Sequence, residues 1–272
     1  MNQLVKEVSD AIISLRKAVP LVHNITNYVT VNDCANALLA IGASPIMADD
    51  IMEAAEITSI SSALVINIGT LNQRTIASMI AAGKQANQNS IPVVFDPVGA
   101  GASKLRNEAT REILKQVKVT VLRGNISEVS FVAGLAVSTK GVDASAADND
   151  RDAVVIAKTV AAKLNCTVAI TGAVDVISDG NRVVKIHNGH PMLSKVTGTG
   201  CMTSALVGAY AGVLQNKFIA AAAGVASMGI AGELAFEKAG QNGTGGFHIA
   251  IIDALSQLDS MVMEERAKLD EA

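Results

Sequence analysis

Ala63-Leu64-Val65-Ile66-Asn67-Ile68-Gly69 is the run that decides the architecture. It is apolar without alternation, so a strand built from it must be buried on both faces. Strands of that kind belong to parallel sheets sandwiched between helices. Three similar runs follow: Pro92-Val93-Val94-Phe95-Asp96-Pro97, Val119-Thr120-Val121-Leu122-Arg123-Gly124 and Thr167-Val168-Ala169-Ile170-Thr171-Gly172. Helical spacing fills the intervals, near 72–88, 104–116, from about 126, and near 152–164. Toward the N-terminus, Val5 to Val19 reads as a helix, Leu21 to Ile25 as a short strand, Val31 to Ala40 as a helix stopping at Gly42, Ser44 to Met47 as an extended piece and Ile51 to Ile60 as a helix. Toward the C-terminus, Asp175–Ser178 and Arg182–Ile186 flank Asp179-Gly180-Asn181, a hairpin signal. From Cys201 onward the chain reads as almost all helix. The expectation is one α/β domain over residues 1–272, with a parallel centre and an antiparallel edge.

Composition narrows the function classes. Half of the 272 residues are apolar, but aromatics make up 3% and Trp is absent, so Ala and Val do the packing. The formal net charge is −3 with no block of Lys and Arg. That argues against a nucleic-acid partner or an anionic membrane surface. Residues 1–20 carry scattered charges and lack the apolar core of a signal peptide. The longest apolar run, Phe218 to Gly232, is too short and too rich in Ala and Gly for a membrane span, and is expected as a buried helix. Cys34, Cys166 and Cys201 show neither zinc spacing nor a disulfide framework, which points to reduced thiols in the cytoplasm.

In open parallel sheets ligands bind beyond the carboxyl ends of the strands. Those ends carry His23-Asn24, Asn67–Gly69, Asp96, Arg123-Gly124-Asn125 and Thr171-Gly172. Asp96 follows Val-Val-Phe, where a carboxylate needs a partner. It reads either as a ligand for metal or phosphate or as a capped turn before Pro97. Asn125 and Glu128 are spaced i, i+3. They read either as a helix-capping pair or as a Glu holding Mg²⁺ through water. Arg123 offers a guanidinium fork for phosphate oxygens. Val196-Thr197-Gly198-Thr199-Gly200-Cys201-Met202-Thr203 leads straight into the apolar run Ala205 to Leu214. Its glycines and the opening amides of a helix make an anion hole, most naturally for phosphate, with Cys201 inside it. A plain glycine turn starting a helix reads equally well from this stretch alone. No dinucleotide fingerprint, P-loop or nucleophile elbow is present. The four His residues show no H-E-x-x-H spacing, and Met47 reads as core or interface filler.

Taken together, His23-Asn24-Ile25-Thr26-Asn27, Gly42-Ala43-Ser44-Pro45-Ile46-Met47, Asn67-Ile68-Gly69-Thr70, Asp96-Pro97-Val98-Gly99-Ala100-Gly101, Arg123-Gly124-Asn125 with Glu128, and Gly198-Thr199-Gly200-Cys201 resemble the hydroxyethylthiazole kinase family. The resemblance implies a ribokinase-like three-layer α/β/α fold with a mainly parallel central sheet. It implies ATP and Mg²⁺ as cofactors, and phosphorylation of the hydroxyl of 5-(2-hydroxyethyl)-4-methylthiazole in thiamine biosynthesis. By that pattern Arg123, Thr171, Asn125 and Gly200 bind ATP. Glu128 and Asp96 serve the metal, and Met47, Gly198, Asn27 and Gly69 meet the thiazole. Cys201 lies near the substrate hydroxyl. It also implies a homotrimer with active sites between subunits. The wider ribokinase-like group usually has Asp where this chain has Cys201. The alternative within the same group is a hydroxymethylpyrimidine kinase or another small-alcohol kinase. Outside it stand a cysteine-nucleophile enzyme, a non-catalytic nucleotide sensor and an ATP-dependent hydratase-repair enzyme.

Overall fold

The computed structural model describes residues 3–134 and 146–271. In chain order the elements are α1 (Gln3–Ala18), β1 (Leu21–Ile25), α2 (Val31–Ile41), β2 (Ser44–Ile46), α3 (Ala54–Ser59), β3 (Ala63–Asn67), α4 (Gln73–Gln88), β4 (Val93–Asp96), α5 (Lys104–Gln116), β5 (Val121–Gly124), α6 (Ile126–Ala133), α7 (Ala146–Leu164), β6 (Thr167–Ile170), β7 (Asp175–Ser178), β8 (Val183–Ile186), α8 (Thr199–Ala211), α9 (Lys217–Ala239), α10 (Gly243–Gln257), α11 (Ser260–Arg266) and β9 (Leu269–Glu271). The strands form one sheet in the order β2-β1-β3-β4-β5-β6-β7-β8-β9. The first six run parallel and the last three join antiparallel.

The unalternating run at β3 is buried at every position. Ala63 and Val65 enter one core, and Leu64 and Ile66 enter the other. Successive side chains on a strand point to opposite faces, so each parallel strand feeds both layers. Helices α3 to α7 cover one face; α1, α2 and α8 to α11 cover the other. The split has a chiral cause. The chain steps from β1 to β2 in one direction across the sheet and from β2 onward in the other. Right-handed crossovers therefore place α2 and the helices from α3 to α7 on opposite faces. The reversal lies at β1 and β3, and in open sheets that is where a crevice opens for a ligand.

The antiparallel edge is made by the β7–β8 hairpin. Gly180 sits at φ 96°, and the Asp179 carboxylate accepts the Asn181 and Arg182 amides. The Phe218–Gly232 run is the buried centre of α9, and 89% of the apolar stretch around it lies inside the fold. β9 was not expected: its three residues hold one apolar side chain, and it exists by pairing with β8. The 51–60 segment begins as a helix only at Ala54, because Asp50 first takes the Met52 and Ala54 amides in a turn.

His23 is a structural residue of β1, wholly buried. Its Nε2 lies 2.7 Å from the Ala48 carbonyl and its Nδ1 2.8 Å from Thr58 Oγ1. A carbonyl only accepts, so Nε2 carries the proton and Nδ1 is the acceptor nitrogen, sharing the one hydrogen of the Thr58 hydroxyl with the Ala54 carbonyl at 2.7 Å. Burial holds the ring below the usual histidine range, in its neutral form. The unfolded chain takes up a proton below about pH 6.5 where the native ring does not. This group's contribution to stability is thus present above that pH and falls by about 1.4 kcal/mol per unit below it, until the native ring itself titrates. Thermal melts from pH 7.5 to 5 should show a shallower loss in His23→Gln than in wild type. Equal slopes would mean that His23 does not carry the effect.

Candidate active site

The carboxyl ends of β3, β4, β5 and β6 meet the N-terminus of α8. Asp96 ends β4 with no solvent exposure. Its Oδ2 accepts from Ser204 Oγ at 2.7 Å, Asn67 Nδ2 at 2.9 Å and Arg123 Nη1 at 3.3 Å. Its Oδ1 has no partner. Burial pushes the carboxyl up to about 6 against the pull of Arg123, with Glu128 adding a like charge nearby. Arg123 spans the site as a fork, giving Nη1 to Asp96 and Nη2 to Thr171 Oγ1 at 2.6 Å. Both planar ends of the guanidinium are fixed, which a lysine cannot reproduce.

Helix α8 opens without a side-chain cap, because its N-cap is Gly198 at φ 87°. The first amides of a helix have no partner within it. With no capping side chain over them they suit a ligand anion. Gly200 lets Arg123 lie against this turn: a β-carbon there would stand 2.8 Å from Nη1. A pocket of about 500 Å³ opens beside it. Arg123, Thr171, Thr199, Gly200 and Thr203 provide its polar wall, and Pro191, Leu193, Val225 and Met228 an apolar one.

Cys201 is buried in the first turn of α8. Its Sγ accepts from Asn67 Nδ2 at 3.3 Å and from Asn27 Nδ2 at 3.4 Å. Burial, and then the Asp96 charge, push the thiol above its ordinary range. These outweigh the lowering expected from a helix N-terminus, so the resting group is the neutral thiol.

The structure thus gathers Arg123, Thr171 and Gly200 on the pocket wall, links Asp96 and Cys201 through Asn67, and joins Asn27 to them through the Cys201 sulfur. Gly69 joins them by giving its amide to Asn67 Oδ1 at 2.8 Å. Asn125 and Glu128 form a reciprocal capping box on α6, the local reading their spacing offered. Glu128 Oε2 accepts the Asn125 amide and Oε1 the Gly99 amide, both at 2.8 Å. Met47 does not join the group: it follows the edge strand β2, half-buried against the core, and does not line the pocket.

Sequence reading passed over three contributors. Ser204, three residues after Cys201, had a signal: it is a buried polar side chain in an apolar helix. The wall at Asn188–Ser194 had none. That loop is held by Glu233 Oε1, which accepts from Asn188 Nδ2 and the Gly189 amide, and by His190 stacking on Phe236 at 3.6 Å. Nor did Val225, Met228 and Gly229 on α9 stand out from a helix apolar all round.

Among the described residues no three His, Cys, Asp or Glu side chains cluster as a protein cage for a metal. Mg²⁺ does not require one, since it is commonly held by one or two carboxylates together with waters and substrate phosphates. The unpartnered buried Oδ1 of Asp96, with Glu128 close enough to raise its pKa, fits that arrangement.

Comparison with known proteins shows the family of the chain. Residues 12–261 match the profile of the hydroxyethylthiazole kinase family. The hydroxyethylthiazole kinase of Ruminiclostridium cellulolyticum is 63% identical over the full length of both chains. The solved structure of the hydroxyethylthiazole kinase protein from Pyrococcus horikoshii is 41% identical, with a TM-score of 0.89 over 97% of this chain and 98% of that one. A pyridoxal kinase from Staphylococcus aureus, at 16% identity, shares the fold alone, with a TM-score of 0.59 over 78% of this chain and 87% of its own. That shared fold is the ribokinase-like one, with helices on both faces of a mainly parallel sheet. By profile, by sequence and by fold, the chain belongs to the hydroxyethylthiazole kinase family, kinases that act on an alcohol.

Proposed function

We propose that the protein transfers the γ-phosphoryl group of ATP to the hydroxyl of 5-(2-hydroxyethyl)-4-methylthiazole, a step of thiamine biosynthesis. The observation that carries this reading is the Arg123 fork, tied to Asp96 and Thr171 and laid against the uncapped start of α8. Phosphoryl transfer asks a protein for positioning and charge stabilisation more than for covalent chemistry. The amides of Thr199, Gly200 and Cys201, with Arg123, receive the phosphoryl oxygens. Asp96 and Glu128 would hold Mg²⁺, which neutralises phosphate charge when bound. The oxygen–phosphorus bond to the alcohol forms as the bond to ADP breaks, and the hydroxyl proton passes to an oxygen of the transferred phosphoryl group and on to solvent, while Cys201, a neutral thiol, places the hydroxyl. Asn125 keeps Glu128 in place through the capping box.

The thiazole is placed with Asn27, Gly69 and Gly198, and with Met47 of a neighbouring subunit in a homotrimer. This assignment is supported by Met47 standing away from the pocket of its own chain, and by Tyr28 and Met52, apolar side chains 76% and 87% exposed just past β1 and β2. The site of action is the cytoplasm, in keeping with three free cysteines.

A coupled assay of ADP release tests the reading. Turnover should depend on Mg²⁺ and on the thiazole alcohol, and a hydroxymethylpyrimidine should support a rate at least 10²-fold lower. That is the discrimination expected when a pocket shaped for one ring rejects another. Equal rates for both alcohols, or none for the thiazole, would overturn it. Light scattering of the active protein should report three copies.

A further inference from the structure

Asn67 ends β3 at the point where the sheet reverses, and is buried. Its carboxamide makes three bonds. Oδ1 accepts the Gly69 amide at 2.8 Å, while Nδ2 faces both Asp96 Oδ2 at 2.9 Å and Cys201 Sγ at 3.3 Å. The Gly69 bond settles the orientation of the group: a backbone N–H can only donate, so the oxygen lies on that side and the NH₂ on the other. The nitrogen then has two hydrogens and two acceptors, a carboxylate and a sulfur. Asn27 repeats half of this pattern. Its Oδ1 accepts the Val29 amide at 2.9 Å, which turns its NH₂ toward the same Sγ.

We infer that Asn67 is a positioning residue of the kinase reaction, setting the Cys201 sulfur and the Asp96 carboxylate in one fixed arrangement through the two hydrogens of a single amide. The inference rests on the function proposed above and adds a residue to it. The chemistry of donors explains why asparagine stands here. A hydroxyl has one hydrogen and can serve one acceptor; a carboxylate has none to give at neutral pH and would repel Asp96; an apolar side chain would leave the Asp96 charge short of a donor. Sulfur is a weak acceptor, so two anchored amides aimed at one thiol hold it where a freely rotating side chain would sample several rotamers. Asn67 touches neither phosphoryl group nor alcohol in this scheme; it acts through Cys201, beside the hydroxyl, and Asp96, which would hold the metal.

The test is a double-mutant cycle on the full-length protein, with ATP and the thiazole alcohol as probes. Asn67→Ser keeps one donor, which goes to the charged acceptor Asp96, so the sulfur is released. kcat should fall about tenfold, with KM for both substrates within about threefold. In a Cys201→Ala background there is no sulfur to hold, and the same change should cost no more than about twofold. A merely structural role would cost the same factor in both backgrounds, and that result overturns the inference. So does full activity of Asn67→Ser, or a loss seen only as raised KM for ATP. If Asn67→Ser does not fold, Asn67→Thr makes the same one-donor test with a side chain suited to a strand. A wild-type protein without thiazole-dependent ADP release overturns both the function and this inference; an active wild type with multiplicative variants overturns the inference alone.

Discussion

Asp96→Asn is expected to leave a folded protein whose kcat/KM for ATP is lower by about three orders of magnitude. The amide has the volume of the carboxyl and fits the same buried site. It has one acceptor oxygen where Asp96 has two, and its NH₂ takes the place of Oδ1, the atom without a partner that the metal would use. Ser204 and Asn67 can still share the oxygen. Arg123 Nη1 shares that same oxygen, and the guanidinium keeps an acceptor but has lost its anionic partner. Held by a neutral oxygen alone, the guanidinium keeps its angle against Gly200 less firmly, and the anion site loses definition. Removing one preorganised donor from such a site typically costs 10²- to 10³-fold, and loss of a metal-holding carboxylate adds to it. Excess Mg²⁺ should restore part of the rate, with the melting temperature shifted by no more than a few degrees. Wild-type kcat/KM in Asp96→Asn would remove Asp96 from the mechanism.

Gly200→Ala separates activity from stability. Its backbone is helical and free of the left-handed strain of Gly198, so alanine suits it locally and favours helix by up to about 1 kcal/mol. The added carbon nevertheless falls 2.8 Å from Arg123 Nη1 and 3.0 Å from Nη2. A guanidinium free to swing would yield at little cost, but this one is tied to Asp96 and Thr171 and must give up one of them. Misplacing a positioning group by about 1 Å costs on the order of 10²-fold. The expected result is a protein at least as heat-stable as wild type with kcat/KM for ATP down about 10²-fold. Steady-state kinetics beside a thermal melt decides it. Unchanged kinetics would mean that the guanidinium does not need this contact, and a lowered melting temperature would make the loss one of folding.

The layers of this protein were legible in its sequence because burial on both faces leaves a mark that needs no partner to be read. Ala63 to Ile66 is apolar at every position, and only a strand between two helical layers satisfies that. Local signals were equally plain where a few neighbouring residues close their own bonds. Asn125 with Glu128 caps α6 within four residues. Gly42 stops α2 in the left-handed region. β9 left no such mark, since three residues with one apolar side chain become a strand only when β8 is already there.

The site divides along the same line. Its residue types at the strand ends, and the glycine start of α8, stand in the sequence, and the ridge of carboxyl ends follows from parallel strands. Which of those residues meet does not. Asn67 and Cys201 are 134 positions apart and Ser204 and Asp96 are 108 apart, and the loop at Asn188 owes its place to Glu233, 45 positions on. The state of the Cys201 thiol was undecidable from its position at a helix start, because that favours the thiolate while burial beside Asp96 opposes it. Sequence alone determined the layers, the caps and the inventory of donors and acceptors, all matters of short-range pattern. Hydrogen-bond pairing and the balance between desolvation and charge depend on distances of a few ångströms between segments remote in the chain, and only the tertiary structure sets those.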